Sequence, residues 1–139
     1  MIHFLMVAGK QGKLRIGRFF THQKEQISTQ TAVIKLCLRD GKEEGFVNYE
    51  DMTLVYKLYV NVWFIVGVSH EENELAMFEL FQNLVETLKT YLGKVTEVDI
   101  IFNMDRVYMI IDEMIIDGQI AETCSSRILV PLQLMDAAK

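Results

Sequence analysis

The stretch Val60-Asn61-Val62-Trp63-Phe64-Ile65-Val66-Gly67-Val68 decides the fold. Side chains branched at Cβ and aromatic rings suit a pleated surface better than a helix, so the run reads as a strand. Only Asn61 interrupts its apolar character, which predicts a sheet centre covered on both faces. Thr53-Leu54-Val55-Tyr56-Lys57-Leu58-Tyr59, just ahead, reads as a second strand of rougher alternation. Ser69-His70-Glu71-Glu72, just behind, leads into a long helical pattern. A strand before and helices after imply a layered α/β domain.

Towards the start, Ile2–Ala8 reads as a buried strand and Gly9-Lys10-Gln11-Gly12 as a turn. Lys13-Leu14-Arg15-Ile16-Gly17-Arg18-Phe19-Phe20 alternates basic and apolar residues, as a half-exposed strand closing a hairpin does. From Lys24 to Leu38 the spacing of Ile27, Thr31, Ile34 and Leu38 predicts an amphipathic helix, its apolar face broadened by Ala32, Val33 and Cys37. Gly41 is suited to close it. Phe46-Val47-Asn48-Tyr49 is a short strand or an extended approach to the next one.

Towards the end, Leu75, Phe78, Phe81, Val85, Leu88 and Leu92 recur at helical steps and stop at Gly93. Either Ser69 with Glu72, or Asn73, caps that helix. A second long helix is predicted from about Glu97 to Ile116, ending near Gly118. Val98, Ile101, Phe102, Met104, Val107 and Ile110 cover most of its circumference, which predicts burial on all sides. A last helix runs through Leu129, Leu132 and Met135, capped by Thr123, Ser125 or Ser126, with Pro131 either kinking it or marking its first turn. There are no repeats and no linker. The order ββα-βββ-ααα predicts one α+β domain over residues 1–139, an antiparallel sheet with helices on its faces.

Composition narrows the function. A net charge of -5 argues against nucleic acid as main partner, since phosphate binding shows an excess of Lys and Arg. Cys37 and Cys124 have neither metal spacing nor a disulfide framework, and His3, His22 and His70 share no ligand spacing. Ile2–Ala8 lacks a basic leader, and no run approaches the ~20 apolar residues that span a bilayer. The expectation is a cytosolic chain that meets membranes only through others. Half of the residues are hydrophobic, with eight Met and eight Phe. That excess is either a richly packed core or an obligate interface.

Catalytic patterns are absent. Gly9–Lys13 is faintly like a phosphate loop but would need Gly at Val7 and Ser or Thr at Leu14. Asp112-Glu113 is a solvated or paired helix face rather than an acid–base pair. No serine sits in a nucleophile elbow. No enzyme and no cofactor are expected. Lys10, Lys13, Arg15 and Arg18 are the one concentration of charge, suited to a carboxylate or lipid headgroup, or else an ordinary solvated edge.

Read together, these segments resemble the small chains of clathrin adaptor complexes, the sigma-adaptins. The residues carrying the resemblance are Met1-Ile2-His3-Phe4, Gln11-Gly12-Lys13-Leu14-Arg15, Tyr56-Lys57-Leu58-Tyr59, Asn73-Glu74-Leu75, Val85-Glu86, Glu97-Val98-Asp99-Ile100-Ile101-Phe102-Asn103, Asp112-Glu113-Met114 with Gly118, and Glu122-Thr123. The tail Arg127–Asp136 most resembles the small chain of the fourth, clathrin-independent adaptor complex.

The resemblance implies a longin-like (SNARE-like) fold, a five-stranded antiparallel sheet flanked by helices. It implies obligate assembly with a large adaptin chain, in a heterotetramer with a second large chain and a medium chain. Such complexes gather cargo for vesicle transport at trans-Golgi and endosomal membranes under an Arf-type GTPase. It also implies a site for acidic dileucine signals, [DE]xxxL[LI]. The matching positions are Arg15, near the signal's acid, and an apolar pocket from Val60, Val62, Val85, Val95, Val98 and Ile100. These valines are equally suited to a plain core. The family often has Ala where Val60 stands and two arginines where Lys57-Leu58 stand, and the region Thr21–Val33 is shorter here. Two other readings compete: a coatomer small chain or free-standing longin regulator of a small GTPase or SNARE, and a small-ligand enzyme.

Overall fold

The computed structural model describes residues 1–22 and 26–138. In chain order the elements are β1 (Ile2–Gly9), β2 (Leu14–Phe19), α1 (Gln26–Arg39), β3 (Glu44–Tyr49), β4 (Met52–Tyr59), β5 (Val62–Ser69), α2 (Glu74–Leu92), α3 (Glu97–Phe102), α4 (Met104–Met114), β6 (Ile115–Ile116), β7 (Gln119–Ile120), α5 (Ser125–Ile128) and α6 (Val130–Ala137). The run that suggested a sheet centre is one: the strand order is β2-β1-β5-β4-β3 and every neighbouring pair is antiparallel.

Alternation along β5 sorts its side chains to two cores, as the two-residue strand period requires. Val62, Phe64, Val66 and Val68 join Leu5 and Val7 of β1 beneath α2, α4, α5 and α6. Trp63 and Ile65 join Phe4, Met6, Leu54 and Tyr56 against Val33, Ile34 and Cys37 of α1. The indole N–H of Trp63, otherwise an expensive buried donor, reaches the Lys10 carbonyl at 3.2 Å. The Tyr56 hydroxyl donates to the Asp40 carboxylate.

Several expectations are corrected. Val60 and Asn61 are not strand: Tyr59 pairs with Val62, so they form the β4–β5 turn, with Val60 at φ 58°. The single long helix from Glu97 to Ile116 is two, α3 and α4, broken at Asn103, whose side-chain amide donates to the Asp99 carbonyl at 2.7 Å. An Asn that satisfies a helix-end carbonyl offers the backbone an alternative to continuing. The apolar girdle of that region is not buried throughout, since Val98, Ile101, Phe102 and Met104 face outwards.

In α1 the buried face is Val33, Ile34 and Cys37, while Ile27 and Thr31 are exposed. The expected start at Lys24 lies outside the described residues. Asn73, not Ser69, caps α2, its side-chain oxygen accepting the Leu75 N–H at 2.9 Å. None of the three candidates caps α5: Cys124 stands at that position without a side-chain bond, and Glu122 accepts the Thr123 and Cys124 N–H groups instead. Pro131 lies in the first turn of α6 rather than kinking it.

Candidate functional site

The C-terminal ends of β1 and β4 and the N-terminal ends of β2 and β5 meet at one end of the sheet. There α2 stands off β4 and β5 and leaves a cleft of about 460 Å³. Its apolar wall is Tyr59, Phe64, Phe81 and Val85; Lys57, Gln82, Glu86 and Lys89 complete it with polar groups. Phe64 follows Val62 on the same strand face, and Phe81, Val85 and Lys89 recur every four residues along α2. The Lys57–Glu44 contact is 3.8 Å between exposed groups and does little to immobilise the lysine.

Of the residues put forward from the sequence, Val85 alone is on the wall of this cleft. Val62, Val95 and Ile100 are buried in the core beneath it, and Val85 is also part of that core. Val60 and Val98 are open to solvent, 67% and 56% exposed. The sequence reading missed Tyr59, Phe64 and Phe81. Their signal was present: the period of two carries Val62 to Phe64, and the period of four carries Val85 back to Phe81.

Arg15, on β2 at the same end of the sheet, is engaged within the molecule. Its Nε donates to Glu97 Oε2 at 2.8 Å, and each side chain is about a quarter exposed, 24% and 23%. Glu97 is the first residue of α3. Its backbone N–H goes to the side-chain oxygen of Asn61 at 3.2 Å, and Thr96 caps the helix by accepting the Asp99 N–H. The Glu97 carboxylate lies where a Cβ on Gly9 would be, so only the bare backbone of β1 admits it.

The other basic residues of the hairpin divide. Arg18 pairs with Asp112 of α4 at 2.8 Å and stacks over Tyr108, 4.5 Å from the ring centre. The Tyr108 hydroxyl in turn accepts the Gly17 N–H at 3.0 Å. Arg18 and Asp112 therefore fasten β2 to α4, and Lys10 and Lys13 are left exposed.

A five-stranded antiparallel sheet flanked by helices is the fold that the family resemblance implied. A family model of the clathrin adaptor complex small chain matches residues 1–139. The chain belongs to this family. Human AP-4 complex subunit sigma-1 is 40% identical over 139 residues, spanning 98% of this chain and 96% of that protein. The Arabidopsis thaliana AP-4 complex subunit sigma is 35% identical over 140 residues, 99% and 98% of the two. Mouse AP-1 complex subunit sigma-3 is 38% identical over 126 residues, 88% and 82%. A chain in a homology model of the full-length AP-3 complex in a stretched open conformation superposes with a TM-score of 0.73 at 26% identity, over 99% of this chain and 95% of that one.

The fold is thus the longin-like sheet of adaptor small chains. An adaptor small chain is a sigma-type subunit of a heterotetramer, with large and medium subunits as its partners, in vesicle-mediated protein transport. It is a structural trafficking component acting peripherally at membranes. Among the described residues no helix is long and apolar enough to cross a membrane.

Proposed function

We propose that this adaptor small chain serves an AP-4-type complex as one non-catalytic domain, and that the cleft end of its sheet binds acidic dileucine signals in cargo tails. Likeness to two AP-4 sigma subunits over nearly the whole chain supports the choice of complex. The partners in this reading are two large chains, one of them held obligately, and a medium chain. An Arf-type GTPase recruits the complex to trans-Golgi or endosomal membranes. Cargo binding rests on one observation: an apolar cleft walled by Tyr59, Phe64, Phe81 and Val85 opens at the end of the sheet that carries Arg15. Each leucine of the signal gains about 1.5–3 kcal/mol on full burial, and a guanidinium adds a charge-assisted bond to the acid. In this reading Arg15 and Val85 contact the signal directly, Val60 and Val98 offer it exposed apolar surface, and Val62, Val95 and Ile100 support the site from the core.

Purification of the tagged chain from its own cells tests the assignment. Two large adaptins and a medium chain of the AP-4 type are expected, in a complex that retains a Glu-x-x-x-Leu-Leu peptide and not its Ala-Ala counterpart. Recovery of a small GTPase or a SNARE alone would overturn it.

A further inference from the structure

Arg15 is already occupied by a carboxylate of its own chain. The Glu97 side chain takes the Nε–H of Arg15 at 2.8 Å, in a slot made for it by three features. Gly9 supplies no Cβ where the carboxylate lies. Asn61 receives the Glu97 N–H, which fixes the start of α3 over the β4–β5 turn. Thr96 caps the same helix from the preceding position. An incoming acid meets a guanidinium whose Nε–H is taken and whose charge the Glu97 carboxylate already offsets.

We infer that Glu97 is an internal stand-in for the acidic residue of a cargo signal, a specificity-determining residue that lowers the site's affinity for acidic peptides and its preference for them over neutral ones. The inference rests on the dileucine reading and deepens it. The alternative role for Glu97 is to hold Arg15 in position for the cargo acid, and the two roles predict opposite signs. As a competitor, Glu97 weakens acid recognition; as a brace, it strengthens it.

Two variants remove the carboxylate by different means. Glu97→Gln keeps the shape and deletes the charge. Gly9→Ala keeps the charge and fills the slot; because the atoms it meets belong to the end of a flexible side chain, the carboxylate swings out and the strand is left in place. Binding of Glu-x-x-x-Leu-Leu, Gln-x-x-x-Leu-Leu and Glu-x-x-x-Ala-Ala peptides to the intact adaptor tetramer is measured for each. Both variants are expected to bind the acidic dileucine peptide about three- to fivefold more tightly, the range of one partly exposed ion pair. The neutral dileucine peptide should be unchanged, and adding Arg15→Ala should abolish the gain.

Weaker binding of the acidic peptide in both variants would make Glu97 a brace and overturn the inference while leaving the dileucine site standing. Leucine-dependent binding unaltered by either variant would also overturn it. If no tetramer distinguishes Leu-Leu from Ala-Ala, the site reading itself falls, and the inference with it.

Discussion

Val85 stands on both sides of a boundary. It is 8% exposed, packed in the larger core, and yet its side chain forms part of the cleft wall. Val85→Asp is expected to abolish dileucine binding while the tetramer still assembles, read by peptide pull-down beside subunit recovery. Loss of assembly would make the residue core alone. Arg15→Ala is expected to weaken a Glu-x-x-x-Leu-Leu peptide more than its Gln counterpart, by a modest factor because Glu97 already holds the guanidinium. Cys37 gives a pH prediction. Burial, then the charge of Asp40, push its thiol from an ordinary value near 9 up to about 12. The unfolded chain loses that proton first, so stability is intact below pH 9 and declines as pH rises towards 12. The slope contributed is about 1.4 kcal/mol per pH unit, and thermal melts of Cys37→Ala against the parent over that window should reveal its removal. The Tyr56 hydroxyl, raised by burial and by its bond to Asp40, adds to the same decline.

At the scale of elements, the caps and turns carry testable weight. Asn73→Ala removes the side-chain acceptor for Leu75 N–H at the start of α2 and should cost about 1 kcal/mol. Amide hydrogen exchange in the first turn of that helix should quicken while β5 stays protected. The long periodic elements are legible in the sequence: β5 as the centre, α2 with its Gly93 end, β1 and β2 as a hairpin. Short elements are not. Strands β6 and β7 have two residues each, too few for a period to register, and the apolar spacing instead predicts a helix to Ile116 that ends near Gly118. Between the two strands Asp117 and Gly118 have positive φ, 51° and 78°, the arrangement that an Asp-Gly hairpin turn favours. The exposed Ile27 shows the complementary limit, because periodicity finds an apolar stripe without saying how much of it the chain itself covers.

For the whole molecule, apolar residues fill the core on both faces of the sheet and are also left outside it. Two cores sandwich the sheet, and a set of large side chains still faces outwards, with Ile27 80%, Leu75 71% and Phe102 81% exposed. These side chains, on α1, α2 and α3, are open to contact with the large and medium chains of a heterotetramer. Expressed alone, the chain is expected to aggregate, and co-expression with its large chain should return it to a soluble complex on size-exclusion chromatography. A monodisperse isolated monomer would count against an obligate partner. The candidate site was only partly legible for a related reason. Sequence identified the cation and one wall residue, but the partner of Arg15 lies 82 positions away, and pairing over such a separation leaves no local pattern.

The strand order has a consequence for biosynthesis. The hairpin β1–β2 and the meander β3–β4–β5 join only along the seam between β1 and β5, where Phe4 lies opposite Gly67 and Gly9 opposite Val62. A ribosome delivers β1 long before β5 exists. Until then the most buried strand of the hairpin has an unpaired, sticky edge, the kind of surface that templates wrong pairings. The nascent subunit therefore passes through its most vulnerable moment during translation, which favours chaperone cover or capture of the chain while it is still being made.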